Sequence, residues 1–301
     1  MTAPMALVLA LAAGGVVANA HGLEHELTTP RALSPWDLAA TALLALVGGL
    51  YVLGVRRLRT RGATHPAHET VAFACGWLTL LATVLPPLDA LALERFSAHM
   101  AQHELMMLAG VPLLMAGRPL SACLFGLPRS VRPHAAALFQ HGPAVVTWRV
   151  LTAPIVAWAL HGAAIWIWHA PALYQWAVRN ESVHALQHLI FVGTSALFWW
   201  GLLYGRYGRA GYGAAVFYVF TTAVHTGLLG ALLTFARSPL YPIYASRAAG
   251  QHLDAVGDQQ VAGLMMWVPA GILLTATGLA LFAAWIGEAE RRSKPSRTVV
   301  R

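Results

Sequence analysis

Two pairs of histidines lie inside apolar segments that are long enough to cross a membrane. The pairs are His99 with His103 and His184 with His188, and the members of each pair are four residues apart. A fifth histidine, His169, ends another apolar segment. Residues i and i+4 share one face of a helix, and titratable rings are costly in hydrocarbon unless they have partners. The spacing therefore favours a shared metal site.

Side chains close to the first pair add further donors. Met106 and Met107 follow His103 by three and four residues. Thioether sulfur favours Cu(I), although methionine also fills membrane cores without binding metal. Glu104 comes directly after His103 and points about 100° away from it on a helix. We expect this carboxylate either to support a ligand of the site or to pair with an arginine or histidine on another helix.

Two more groups of residues are accessory candidates for the same site. Asp258 opens the last apolar segment, where it fits a helix N-cap, and it would face the same surface as the histidines. If the chain is cleaved after Ala20, the mature protein begins with His21. Its amine and imidazole would then chelate Cu(II), with His25 as a further ligand. The alternative for this segment is a plain polar start without a metal.

The composition is that of an integral membrane protein. The chain of 301 residues is 57% hydrophobic and 11% charged, with a mean hydropathy of +0.58, so it has too few charges to cover a soluble surface. A bilayer requires about 20 apolar residues of a helix, and lipid forces the backbone to satisfy its own hydrogen bonds. The sequence predicts an all-α bundle of seven transmembrane helices: Trp36–Val55, Thr70–Leu88, Ser97–Gly117, Trp148–Ala170, Val183–Tyr204, Tyr212–Ala236 and Gln260–Ile286.

The segment before these spans is interpreted as a signal peptide. Residues 1–20 are apolar and end in Ala18-Asn19-Ala20, a small-x-small cleavage pattern. Because a basic start is missing, an uncleaved extra N-terminal span is the alternative. We therefore divide the chain into a signal peptide 1–20, a membrane domain 21–287 and a basic cytoplasmic tail 288–301. The two cysteines, Cys75 and Cys123, form no CxxC motif and are not expected to form a disulfide.

Basic residues are concentrated in alternate connections between the spans. Most of the 20 Lys and Arg residues fall in four clusters: Arg56, Arg57, Arg59 and Arg61; Arg118, Arg129, Arg132 and Arg149; Arg206 and Arg209; and Arg291, Arg292, Lys294, Arg297 and Arg301. By the positive-inside rule, the mature N-terminus lies outside and the C-terminus lies in the cytoplasm, beside anionic membrane lipid. This distribution accounts for the net charge of +8 without a nucleic-acid partner. It also places the five histidines in the outer half of the membrane.

Several motifs occur together between Ser97 and Pro269. They are His99-Met100-Ala101-Gln102-His103, Pro112-Leu113-Leu114, Gly117-Arg118-Pro119, Trp168-His169-Ala170-Pro171-Ala172-Leu173-Tyr174, His184-Ala185-Leu186-Gln187-His188, Phe198-Trp199-Trp200, Asp258-Gln259-Gln260-Val261-Ala262-Gly263 and Met266-Trp267-Val268-Pro269. In combination they resemble the polytopic CtaG-type cytochrome c oxidase assembly factors. The resemblance implies a seven-span bundle in the bacterial plasma membrane and a role in maturing haem-copper oxidase, with delivery of copper to it. It assigns no ligands, so the metal site rests on spacing and depth.

We expect a copper-binding assembly factor of the respiratory chain rather than an enzyme, since no nucleophile–base pattern is legible. Copper would arrive from the outer side, with a periplasmic copper chaperone as a candidate donor, and would pass to an oxidase subunit. The ion would be held by His99, His103, His169, His184 and His188.

Two other functions stay open at this point. A membrane protein that holds haem b between two histidines would transfer electrons. A metal or proton transporter would use the deeper residues His161 and His225 together with Glu104. A retinal pump is excluded, because the only lysine, Lys294, lies in the tail.

Overall fold

The computed structural model describes residues 33–138, 142–204, 211–250 and 254–293. The predicted signal peptide, the predicted chelate at His21 and His25, and the end of the basic tail lie outside these residues. Every regular element in the part of the chain that is described is a helix.

Fourteen α-helices and one π-helical segment follow one another along the described residues. They are α1 (Pro35–Thr60), α2 (Ala67–Val84), α3 (Leu88–Glu94), α4 (Phe96–Glu104), the π segment (Leu105–Gly110), α5 (Val111–Ala116), α6 (Pro119–Gly126), α7 (Arg132–Leu138), α8 (Gly142–Leu151), α9 (Pro154–Trp168), α10 (Pro171–Arg179), α11 (Glu181–Tyr204), α12 (Gly211–Thr234), α13 (Pro242–Gly250) and α14 (Ala255–Ser293).

Five of these helices are each long and apolar enough to cross a membrane, namely α1, α2, α11, α12 and α14. Two further spans exist only if a bent pair is taken as one span. The first pair joins the run from α4 to α5 with α6 at an angle of 61°, and the second joins α8 with α9 at 68°. The described chain therefore has five to seven candidate membrane spans.

The predicted span Trp148–Ala170 is not one continuous helix. It breaks between α8 and α9, where Ala153 is extended and Pro154 begins the next helix. Proline has no N–H to donate, and it disfavours helical backbone in the residue before it. The helix that remains, α9, has 15 residues. At 1.5 Å per residue it covers about 22 Å, which is shorter than a bilayer core.

Another proline is accommodated without a break, and the π segment shows how. Pro112 lies at the start of α5, where an α-helix would lose one hydrogen bond. The N–H of Val111 bonds to the carbonyl of Met106, five residues earlier, so the carbonyl of Met107 is left without a helical donor. Two side chains of α11 supply donors instead: Ser195 Oγ at 3.1 Å and Trp199 Nε1 at 2.9 Å. The π segment thus binds the α4–α5 run to α11.

The last long helix, α14, supports the histidine-bearing helix α4. It packs against both α4 and α12, and two glycines allow the close approach to α12. A Cβ atom built on Gly263 would lie 2.6 Å from the carbonyl oxygen of Gly230, and one on Gly230 would lie 2.9 Å from that of Gly263. Side chains larger than glycine at either position would push the helices apart.

The end of the bundle that is distant from the histidine pairs is rich in arginine. Arg57 Nη1 donates to three carbonyls at the end of α6, at 2.7–3.0 Å, and Arg118 Nε lies 3.0 Å from Glu69 Oε1. His99 precedes Arg118 by 19 residues of almost unbroken helix, which corresponds to about 28 Å. The histidine pairs and the arginine cluster therefore occupy opposite ends of the molecule.

Candidate metal centre

The two histidine pairs meet between helices α4 and α11, and their four rings form a closed cycle. The ring centroids of His99 and His103 are 4.4 Å apart, those of His103 and His188 are 5.2 Å apart, and those of His188 and His184 are 4.2 Å apart. A distance of 5.1 Å from His184 back to His99 closes the cycle. Residues that are about 80 positions apart in sequence thus converge on one point.

The size of this cycle suits a metal ion. The diagonal between the centroids of His99 and His188 is 6.5 Å. Half of that distance, about 3.2 Å, is the separation between each ring centre and the middle of the cycle. It matches an ion that is bound to an imidazole nitrogen at 2.0–2.1 Å, because the ring centre lies behind the nitrogen. One ring nitrogen from each of His99, His103 and His184 lies within 4.8 Å of the others. Tetrahedral ligands at the same bond length are about 3.3 Å apart, so small ring rotations would bring these nitrogens into coordination.

Two of the histidines are fixed by Nδ1, which leaves Nε2 for a ligand. His169 Nδ1 donates to the carbonyl of Ile165 at 2.6 Å, and His99 Nδ1 contacts the carbonyl of Ala92 at 3.3 Å. Because a carbonyl only accepts, the proton lies on Nδ1 and the lone pair lies on Nε2. The Nε2 atoms of both rings are buried and have no hydrogen-bond partner among the described residues. Histidines that bind metals are commonly held in this way.

His103 and His188 also have ring nitrogens without a hydrogen-bond partner. Both ring nitrogens of His103 are buried without a hydrogen-bond partner in the described chain, and so is Nε2 of His188. An unsatisfied buried polar atom destabilises a protein by about 1–3 kcal/mol. Several such atoms facing one another form a buried group of nitrogen donors of the kind that can hold a metal ion.

His169 reaches the edge of the cluster from the end of α9. Its ring centroid lies 6.3 Å from those of Tyr174 and Phe191. The same two rings contact the cluster itself, because Tyr174 lies 5.1 Å from His99 and Phe191 lies 4.8 Å from His103. All five sequence-predicted histidines are therefore brought to one region, with four in direct ring contact and His169 beside them.

Three buried tyrosines around the cluster were not expected from the sequence. Tyr244 donates to the carbonyl of Ala92 at 3.0 Å and lies 3.2 Å from His99 Nδ1, while Tyr241 donates to the carbonyl of His169 at 2.9 Å. Burial raises the pKa of both hydroxyl groups, and also that of Tyr174. The hydroxyls therefore stay protonated and act as donors. In the sequence, Tyr174 appeared only as the end of the motif that begins at Trp168, and Tyr241 and Tyr244 only as two tyrosines three residues apart.

Asp258 does not cap its own helix. The helix α14 begins at Ala255, so Asp258 lies inside the first turn. Its carboxylate accepts from the backbone N–H of Phe96 at 2.8 Å, from that of Ser97 at 3.3 Å and from the hydroxyl of Ser97. It therefore caps α4, the helix that carries the first histidine pair and whose own N-cap residue, Arg95, makes no side-chain cap.

The two methionines next to His103 point to different places. Met106 borders a cavity that also touches His184 and His188. Met107 borders a second, smaller cavity. Both side chains are almost fully buried, so each also has the packing role that the sequence left open.

Glu104 lies with deeper polar residues rather than with the histidine cycle. It lines the smaller cavity, of about 20 Å³, together with His161 and Thr226. Its Oε2 atom is buried and has no hydrogen-bond partner among the described residues. His161 Nδ1 lies 3.2 Å from the hydroxyl of Thr194. A space of this size holds about one water molecule. Glu104, His161 and Thr226 therefore line a small polar pocket that is separate from the histidine cycle.

The fold and the site define an all-helical membrane protein with a buried histidine cluster. A profile of the cytochrome c oxidase caa3 assembly factors matches residues 49–288. The chain belongs to this family.

Curated relatives are more distant. An uncharacterized protein of Mycobacterium bovis is 25% identical over 307 residues, which cover 97% of this chain and 45% of the relative. An uncharacterized protein of Mycobacterium leprae is 25% identical over 264 residues, which cover 84% of this chain and 39% of the relative. The chain thus spans less than half the length of these relatives. No solved structure matches.

Proposed function

We propose that this chain is an assembly factor for a haem-copper cytochrome c oxidase that binds copper at the histidine cluster and passes it to an oxidase subunit. The observation that carries the proposal is the closed cycle formed by His99, His103, His184 and His188, with buried Nε2 atoms that have no partner on His99, His103 and His188. The oxidase as the proposed partner follows from membership of the cytochrome c oxidase caa3 assembly factor family.

The ligand set suits an ion that must be released again. Imidazole nitrogens bind copper and zinc well, and a closed cysteine site would hold the ion more permanently. Neither cysteine is near the cluster: Cys123 is on α6 at the arginine-rich end, and Cys75 is exposed on α2. An all-imidazole cluster with His169 as a spare ligand allows one ligand to leave as another arrives.

We further propose seven spans in the bacterial plasma membrane, with the histidine end facing outward. The two bent pairs would each count as one span. Support comes from the arginine cluster at the opposite end of the bundle, since cytoplasmic ends are enriched in Lys and Arg. Copper would then come from the periplasmic side, where a copper chaperone is the proposed donor.

Haem b fits the cluster less well than an ion. A porphyrin held between His99 and His188 would occupy the space where the rings of His103 and His184 lie. The cavity beside the cluster has a volume of about 170 Å³, whereas small-molecule sites are typically 300 Å³ or more. The optical spectrum of the purified protein separates the two cofactors, because only haem gives a Soret band.

The test is a double substitution, His103→Ala with His188→Ala, on protein purified from membranes. We expect the double variant to insert into the membrane normally and to lose bound copper, which is measured by elemental analysis after dialysis. His134→Ala is the matched control, since this ring is exposed and bonds only to a backbone carbonyl near its own helix. Undiminished copper in the double variant would refute the proposed site.

The cellular role requires a separate measurement. In a strain that lacks this protein, we expect cytochrome c oxidase to accumulate with reduced copper content. Wild-type protein should restore copper, and the double variant should not. Oxidase with full copper content in the deletion strain would contradict a role in copper delivery.

A further inference from the structure

The larger cavity, which Met106, His184 and His188 border, has carboxyl groups in its wall. This cavity of about 170 Å³ lies between α1, α2 and α11. Three carboxylic acids line it, Asp37, Asp89 and Glu181, and so do His184 and His188. No lysine or arginine is among the described residues that line it. Asp37 and Asp89 lie on α1 and α3, whereas Glu181 lies on α11 together with the two members of the histidine cycle.

We propose that this cavity is the entrance through which a copper ion reaches the histidine cluster. The inference rests on the proposed function and adds the route. A volume of this size holds several water molecules, so a partly hydrated cation fits. Carboxyl groups in a cleft with apolar walls concentrate cations and raise their association rate by about 10- to 1,000-fold.

The lining of the cavity includes a group that can bind the ion. His188 lines it, and the Nε2 atom of this ring is buried without a hydrogen-bond partner in the described chain. Asp89 accepts from the side-chain amide of Gln102 at 3.2 Å. Gln102 lies between His99 and His103 on α4, so the cavity wall is bonded directly to the helix that carries the other pair.

A first experiment asks whether the cavity contains water, independently of copper. In a background with Cys75→Ala and Cys123→Ala, a cysteine replaces Ala185, which lines the cavity. We expect Ala185→Cys to react with a quaternary-ammonium methanethiosulfonate faster than with a neutral hydroxyethyl analogue. The control is Ala163→Cys on an exposed face of α9. This thiol should face lipid, and both the charged and the neutral reagent should react with it much more slowly than with Ala185→Cys.

The preference for the cationic reagent should depend on the carboxyl groups. We expect Asp37→Asn with Glu181→Gln to reduce the ratio of cationic to neutral rates at Ala185→Cys at least threefold. An inert Ala185→Cys would show that lipid or protein fills the cavity, and an unchanged ratio would show that the carboxyl groups do not attract cations. Either result overturns the proposed entrance.

A second experiment measures copper loading itself. We expect Asp37→Asn with Glu181→Gln to lower the loading rate about tenfold at low ionic strength while leaving the final copper content unchanged. Ala185→Phe should slow loading by blocking the cavity. Equal rates in wild type and both variants would reject this route. If wild type binds no copper at all, the proposed function fails, whereas the thiol experiment still decides whether this is a cation-accessible cavity.

Discussion

At the residue scale, the histidines differ in how their ring nitrogens are held. Nδ1 of His99 and of His169 is fixed by backbone carbonyls, so these rings are oriented before any ion arrives. His103 has no partner for either nitrogen among the described residues, and only ring contacts hold it. We infer that His99 is a preorganised ligand and that His103 becomes oriented when an ion binds.

Tyr244→Phe tests the preorganisation of His99. Removing the hydroxyl takes away a contact at 3.2 Å from His99 Nδ1 and a hydrogen bond to the carbonyl of Ala92. Loss of a group that orients a metal ligand typically lowers affinity by about 10- to 100-fold. We expect a decrease of that size in copper affinity, measured by competition with a chelator of known affinity.

Tyr241→Phe is the matched control for this substitution. Its hydroxyl donates to the backbone carbonyl of His169 and not to a ring nitrogen. We expect a similar loss of thermal stability in both variants, and a clearly smaller loss of copper affinity in Tyr241→Phe. Equal affinities in the two variants would mean that the Tyr244 hydroxyl does not orient His99.

The sequence predicted the histidines but not their tyrosine partners, for a physical reason. A spacing of four residues places two rings on one helix face whatever the rest of the fold does. The pair of His99 and His103 can therefore be recognised from the local sequence. Tyr244 and His99 are 145 residues apart in the chain. Their contact depends on how α13 packs over α3 and α4, which no local pattern encodes.

At the element scale, breaks and caps depend on neighbouring helices. Pro154 breaks a predicted span, whereas Pro112 and Pro269 lie within continuous helical runs. The sequence alone does not distinguish these prolines. Around Pro112, Ser195 and Trp199 satisfy the displaced carbonyl of Met107, so the helical run survives there because a neighbour supplies donors. The same dependence on neighbours made the local N-cap assignment of Asp258 wrong.

Asp258→Ala tests the cap that α14 provides to α4. The substitution leaves the backbone N–H groups of Phe96 and Ser97 without this acceptor. Loss of an N-cap destabilises a protein by about 0.5–2 kcal/mol. We expect a lower midpoint of thermal unfolding and, because the start of α4 frays near His99, weaker copper binding.

Asp254→Ala separates capping of α4 from capping in general. Asp254 is exposed and accepts from the N–H of Val256 at the start of α14 itself. We expect this variant to lose some stability but to retain wild-type copper affinity. If both aspartate variants bind copper like wild type, α4 does not need the cap to position His99.

At the scale of the whole molecule, the protein has two chemically different ends. Buried imidazoles, tyrosine hydroxyls and the carboxyl-lined cavity occupy one end, where Arg247 donates to the carbonyl of Leu93, and most of the described arginine side chains occupy the other. The rise of the α4–α5 run separates them by about 28 Å, close to the thickness of a bilayer core.

The hydropathy of the sequence predicted long apolar helices correctly, because bilayer thickness sets their length. It ended the span Ser97–Gly117 at the first bend, but it missed the second bend before Pro154, because averaging over a window hides a single break.

The direction in which this molecule crosses the membrane is testable with single cysteines in the background that lacks Cys75 and Cys123. Arg179→Cys lies just before α11, on the side of the histidine cluster, and Ser130→Cys lies between α6 and α7 at the arginine-rich end; both positions are exposed. Because Lys and Arg are retained on the cytoplasmic side, we expect a membrane-impermeant maleimide to label Arg179→Cys in intact spheroplasts. Ser130→Cys should react only after the membrane is permeabilised. The opposite labelling pattern would place the histidine cluster at the cytoplasmic face, and copper would then have to enter it from inside the cell.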